Sequence, residues 1–200
     1  HVCDRHEKIE ELTNYLYNNN LMKYIEVYVT KVSPAKAPQV IARLLDLDCN
    51  EDFIKNLLSE VRHMCPIPAL VEICEERNRL RLLQPFLEAR IAEGNIEPAT
   101  HNAIGKIFIS LNKDPQAFLL QNQFYDSKVV GKFCEKLDPY LAYLAYRRAW
   151  GACDEELIEV TNKNDLFKDQ ARYLVERQDT ELWQKVLSDE NDFKRKVVDE

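Results

Sequence analysis

Three groups of residues carry side chains that catalysis or metal binding would require. His1, Cys3 and His6 share one short window and have ligand chemistry. A structural zinc site needs four ligands, and no second pair stands at a suitable distance. Cys49, His63 and Cys65 raise the same question. They flank an amphipathic stretch that would form a helix about 20 Å long at the usual rise per residue, too long for them to close one site by themselves. His101, in EPATHNAIGK, follows Glu97 and Thr100 and resembles half of an acid–base pair. It falls in the first turn of a helical pattern whose apolar stripe is Ala103, Ile104, Ile107 and Phe108, where a capping or packing role fits better than proton transfer.

The remaining candidates read the same way. Gly105 and Gly131 lie inside apolar helical patterns with no phosphate-cradling motif around them, so their expected role is close helix approach. Trp183 fits an apolar stripe and is expected in the core with Phe133, whereas Trp150, beside Gly151 at a helix end, is expected to be more open. Tyrosines 15, 24, 28, 140, 143 and 146 recur at helical spacing and are expected to pack in the interior or at its rim. No nucleophile, base and oxyanion donor come together. The sequence therefore assigns no catalytic, cofactor-binding or metal-ligating residue.

The elements that would position such groups follow from one repeated device, two adjacent apolar residues recurring after a gap of two. Examples are Val40-Ile41/Leu44-Leu45, Phe53-Ile54/Leu57-Leu58, Val129-Val130/Phe133-Cys134 and Tyr140-Leu141/Leu144-Ala145. Positions i, i+1, i+4 and i+5 share one stripe of an α-helix and scatter over both faces of a strand. The pattern predicts helices over 7–19, 21–32, 38–47, 51–63, 67–77, 79–93, 98–111, 115–121, 127–137, 139–149, 154–162, 165–177, 179–188 and 191–198, with short connections between them. Asp114-Pro115 and Asp138-Pro139 read as an N-cap followed by proline at the first helical position; Asn50, Asn78 and Asp179 read as further N-caps, and Gly94 as a left-handed stop. A weak self-similarity links 134–141 with 175–182, and more loosely 75–80, which suggests a helix-hairpin repeat of about 40 to 60 residues. The fold class is all-α, an α-solenoid of stacked antiparallel hairpins forming a right-handed superhelix, continuous over 1–200.

Composition limits the partners. The chain has 200 residues, 46% apolar and 30% charged, with a net charge of −7. This balance argues against nucleic acid or an anionic membrane surface as the main partner, since both need a basic footprint. Six cysteines form no CxxC pair and no Asn-x-Ser/Thr sequon occurs, which fits a reducing, cytosolic setting. The start at His1 without methionine and the end in mid-helix suggest a piece of a longer chain. Apolar groups such as Leu12, Val186, Leu187 and Val198 are then expected to be unusually exposed.

Several stretches resemble a known family: YLYNNNLMKYIEVYVTKVSP (15–34), LLDLDCNEDFIKNLL (44–58), RNRLRLLQPFLEARIAEGNIEPATHNAIGKIFI (77–109), FYDSKVVGKFCEKLDPYLAYLAY (124–146) and CDEELIEVTNKNDLFKDQARYLVERQDTELWQKVL (153–187). They are similar to the clathrin heavy-chain family, and the similarity runs through essentially the whole chain. The resemblance implies a non-enzymatic leg segment between ankle and distal leg, crossing from one heavy-chain repeat into the next near residues 60–80. It implies other heavy-chain legs as lattice partners on the cytosolic face of coated pits and vesicles. Trimerisation, light-chain binding and adaptor binding would belong to other regions, with no cofactor and no membrane insertion. YRRAWGACDEEL (146–157) has a longer helix-to-helix turn than the family implies. A helical-repeat subunit of a vacuolar tethering complex is the related alternative; an all-helical enzyme would instead require a deep pocket with converging polar groups.

Overall fold

The computed structural model describes residues 8–200. Among them are fourteen α-helices, short 3₁₀ turns and no strand. The fold is an all-α helical-repeat solenoid, as the apolar spacing predicts. The helices are α1 Ile9–Asn18, α2 Met22–Val27, α3 Ala37–Asp46, α4 Glu51–Val61, α5 Ile67–Glu76, α6 Gln84–Ala92, α7 Pro98–Ser110, α8 Pro115–Gln121, α9 Ser127–Cys134, α10 Pro139–Arg148, α11 Asp154–Lys163, α12 Phe167–Arg177, α13 Thr180–Val186 and α14 Lys194–Val198. They form two compact units, one ending at Ile107 and the other beginning at Phe108.

Helix starts recur at a near-constant step. In the first unit α1, α3, α5 and α7 begin at Ile9, Ala37, Ile67 and Pro98. In the second, α9, α11 and α13 begin at Ser127, Asp154 and Thr180, and α10, α12 and α14 at Pro139, Phe167 and Lys194, at slightly shorter steps. The repeat is therefore about 30 residues long, inside the usual range for stacked helical units and shorter than the roughly 40 to 60 suggested by the self-similarity. The similar octapeptides mark helix ends built with the same chemistry, at the α9–α10 and α12–α13 turns, which are not equivalent places in the repeat.

Helix stops explain why glycine is so scarce. Asn20, Asp48, Asn78 and Asn112 have left-handed backbones, with φ of 60°, 52°, 53° and 52°. Asn and Asp tolerate this conformation better than other non-glycine residues. At each the chain makes a pair of closing bonds. Asn78 N–H donates to Glu75 O at 3.0 Å and Arg79 N–H to Cys74 O at 2.8 Å; the same pairs form at Asn20/Leu21, Asp48/Cys49, Gly94/Asn95 and Asn112/Lys113. This is the Schellman arrangement, which satisfies the last carbonyls of a helix. Asn78 thus terminates α5 and does not cap the next helix, a correction to the sequence reading.

Helix starts divide similarly. The Asn50 side chain accepts from Asp52 N–H, Asp138 from Tyr140 N–H, and Asp179 from Glu181 and Leu182 N–H. Asp126 caps α9 in the same way, a cap absent from the sequence reading. Asp114 does not cap α8: its backbone is left-handed, φ 42° and ψ 52°, and its carboxylate accepts no bond from the first turn. Side-chain capping needs the extended backbone that Asp126, Asp138 and Asp179 adopt. The helix expected over 21–32 changes at Tyr28 into a π-helical turn, Tyr28–Val32. Thr30 Oγ1 donates to Glu26 O at 2.8 Å, and Ser33, forced from helical geometry by Pro34, closes on Tyr28 O at 2.9 Å.

The first unit buries mainly aliphatic side chains, among them Ile25, Val29, Ile41, Leu44, Ile54, Leu57, Leu70, Leu83 and Leu87. The second buries Tyr125, Tyr143, Tyr146 and Tyr173 with Val130, Leu157 and Leu174. Several placements differ from expectation. Tyr15 and Tyr24 are exposed, because they lie on the outer side of short helices whose stripes are completed by Ile9 and Ile25. Phe133 and Trp183 are only half-buried at the edge of the second core. The cost of truncating either to Ala therefore falls below the roughly 3 to 5 kcal/mol of a fully buried aromatic. Val198 is exposed as anticipated, but Val186 is buried with Val197 in the same cluster. The chain turns back after α13, where Asn191 Nδ2 donates to Val186 O at 2.6 Å, and so covers a position expected to be open. Leu12 and Leu187 are half-buried.

Candidate functional site

The structure scatters the residues with catalytic or metal-binding potential. His1, Cys3 and His6 lie outside the described residues. Cys49 and Cys65 are buried whereas His63 is exposed on a 3₁₀ turn. Burial pushes the Cys65 and Cys74 thiols up to about 12, which makes them poor ligands and nucleophiles at neutral pH. No group of three or more His, Cys, Asp and Glu among the described residues could hold a metal ion. His101 is buried, and its Nε2 lies 2.8 Å from Asn95 O. Asn95 Oδ1 in turn accepts from Glu97 N–H at 2.9 Å. The imidazole thus ties down the turn that starts α7, which is the packing role.

What recurs instead is a set of polar rungs between successive repeats. In the first unit Arg43 donates to Asn14 at 2.5 Å, Arg77 takes both oxygens of Asp46 at 2.8 and 3.2 Å, Arg79 meets Glu51 at 2.8 Å and Lys106 meets Glu75 at 2.5 Å. In the second, Arg147 meets Glu176 at 2.7 Å, Lys185 meets Glu155 at 2.7 Å and Lys196 meets Asp165 at 3.3 Å. Every one of these partners is 28 to 31 residues from the other. The Arg77 hydrogen bonds hold the Asp46 carboxyl below its usual range. Partly exposed pairs contribute about 0 to 1 kcal/mol each, so the rungs fix register between neighbours while apolar burial supplies the cohesion.

The tightest joint lies between α9 and α10. Gly131 is buried against the Tyr146 ring, and a Cβ there would stand 2.6 Å from Tyr146 Cδ1 and Cζ. The Tyr146 hydroxyl donates to Glu135 Oε1 at 2.5 Å, and burial with this carboxylate raises the phenol well above its ordinary range. A parallel contact joins Tyr173 to Asp154, and Arg177 reaches Asp154 and Asp179 at 3.4 and 3.2 Å. Such contacts clamp helices together and offer no site for a reacting group.

A family model described as a region in clathrin and VPS matches residues 58–198. The chain belongs to this clathrin repeat family. Over 199 residues, the whole of this chain, it is 66% identical to the clathrin heavy chain of Dictyostelium discoideum, 57% to clathrin heavy chain 1 of Arabidopsis thaliana and 53% to clathrin heavy chain 2 of Homo sapiens. It spans about 12% of the length of each of these relatives. Within the matched stretch 58–198, a unit of two helices and two tight turns recurs about every 30 residues. No helix among the described residues is long and apolar enough to cross a membrane. Sequence reasoning missed the rungs, because each partner lies a full repeat away and no local pattern marks the pair.

Proposed function

We propose that the chain is a structural leg segment of a clathrin heavy chain, an elastic strut in the lattice of coated pits and coated vesicles, without catalysis. The observation that carries this reading is the 53 to 66% identity to heavy chains of several eukaryotes along all of the chain. The physical account adds the means: repeats joined by apolar seams and weak polar rungs bend through small adjustments at each interface. The whole segment, 1–200, is then one continuous right-handed stretch of solenoid crossing from one heavy-chain repeat to the next near 60–80. Its partners are other heavy-chain legs, held by many individually weak contacts. In the full-length chain, trimer formation, light chains and adaptors use regions beyond this segment, on the cytosolic face of the membrane. The net charge of −7 supports protein partners over nucleic acid.

A chimera tests the proposal. The corresponding 199 residues of the Dictyostelium heavy chain are exchanged for this chain, and cage assembly is followed by electron microscopy. Closed cages from trimeric chimeras are expected. A chimera that folds and trimerises but forms no cages overturns the reading. Small-angle scattering of the isolated segment gives a second check: the solenoid requires a radius of gyration clearly above the roughly 16 to 17 Å of a compact chain of this length.

A further inference from the structure

We propose that the turn after α10 forms one wall of a docking groove for an acidic peptide of a partner protein carrying a large apolar side chain. A cleft of about 270 Å³ is lined by Leu119, Leu120, Leu144, Arg147, Arg148 and Trp150. It is smaller than the roughly 300 to 1,000 Å³ of small-molecule sites and suits one or two side chains of a peptide. Leu120 and Trp150 stand at its rim, 65% and 54% exposed.

Two features separate this rim from ordinary exposed apolar surface. Trp150 has a left-handed backbone, φ 45°, followed by Gly151 at φ 112°. A bulky residue there is strained, and such strain concentrates at binding sites. The indole is held in this place by an edge contact with Tyr173, centroids 6.2 Å apart, and by Arg177, 5.6 Å from its centroid. The second feature is charge. Both charged residues lining the cleft are arginines in a chain of net charge −7. Arg147 is paired with Glu176. Among the described residues Arg148 bonds only to carbonyls, Gln123 O at 3.2 Å and Tyr125 O at 2.7 Å, and stacks 3.9 Å from the Tyr125 centroid. Neutral acceptors leave its positive charge uncompensated. Tryptophan and arginine are among the residue types enriched where binding energy concentrates at protein interfaces. An acidic segment with one apolar anchor satisfies both at once.

The probe is a phage-displayed random dodecapeptide library, selected on the intact chain and counter-selected on a Leu120→Ser, Trp150→Gly double variant. Glycine suits φ 45° and both positions are exposed, so the variant should keep its helicity and melting temperature, checked by circular dichroism. The expected result is enrichment of acidic peptides with a large apolar residue. The leading peptide, labelled with fluorescein, should lose affinity about tenfold or more on either single variant, and weaken with added salt. The proposal is overturned if no peptide is enriched, if enriched peptides are neutral or basic, or if both single variants bind as the parent does. It is equally overturned if sedimentation shows that Leu120 and Trp150 are consumed in self-association.

Discussion

The two units solve one geometric problem with different chemistry. In the unit ending at Ile107, left-handed residues at Asn20, Asp48, Asn78 and Gly94 stop helices, and Asn50 caps a start with its side chain. The unit beginning at Phe108 also has left-handed stops, at Asn112, Asp165 and Gln178, and adds side-chain caps from Asp126, Asp138 and Asp179. The cores differ in parallel, aliphatic in the first and rich in buried tyrosine in the second. Both nevertheless share nearly the same step between helix starts, and both carry polar rungs at that interval. The lesson is that the repeat is defined by hairpin length and by register between neighbours. The local devices that end a helix are interchangeable.

The largest effect expected from breaking this comparison is at the tyrosine joint of the second unit. Gly131→Ala places a methyl group into the Tyr146 ring and should cost about 1 to 3 kcal/mol. An unchanged urea midpoint would show that the ring yields and that the joint is not tight. Next come the helix ends. Asp138→Ala removes a capping bond in the second unit and should cost about 1 kcal/mol. In the first unit Asn78→Ala should cost a similar ~1 kcal/mol through its left-handed backbone, while Asn78→Gly should be neutral or stabilising. If glycine and alanine behave alike at 78, the stop is not what sets that helix end.

A separate effect, of pH rather than of substitution, is confined to alkaline solution and should appear in both units. Burial raises Cys65, Cys74 and Cys134 to about 12 from an ordinary value of 9.0, and Tyr125 to about 12 from 10.0. Below the ordinary values the folded and unfolded chains hold the same protons, so these groups leave stability unchanged. As pH rises from about 9 toward 12, the unfolded chain releases protons that the fold retains, and stability falls. Urea midpoints that stay level or rise over this range would contradict the buried placement of these groups.

Much of this was legible in the sequence because the signals are local. Paired apolar residues at helical spacing mark the helices, and Asn50, Asp138 and Asp179 mark caps, since a cap lies within three residues of what it binds. Asn78 and Asp114 mislead because Asn and Asp serve both as starts and as left-handed stops, and only the backbone distinguishes the two uses. The repeat length and its rungs are hidden for a different reason. Arg77 and Asp46 meet across 31 residues, and no alternation in one chain reports which neighbour a side chain will face. Trp150 reads as open from its place beside Gly151, but the cleft it borders depends on Leu119 and Leu120, from a helix two earlier in the chain.

The central claim is that one helix pair with its two turns, about 30 residues, is an exchangeable unit that coheres through its seams with its neighbours. Deleting Cys49–Asn78 tests it most directly, because the cut joins the left-handed stop Asp48 to Arg79, the residue that follows the equivalent stop. Urea unfolding of this variant should remain cooperative, with helicity per residue unchanged, while deletion of only half that stretch, Cys49–His63, should disrupt the first unit. Loss of cooperative folding in both variants alike would contradict the account.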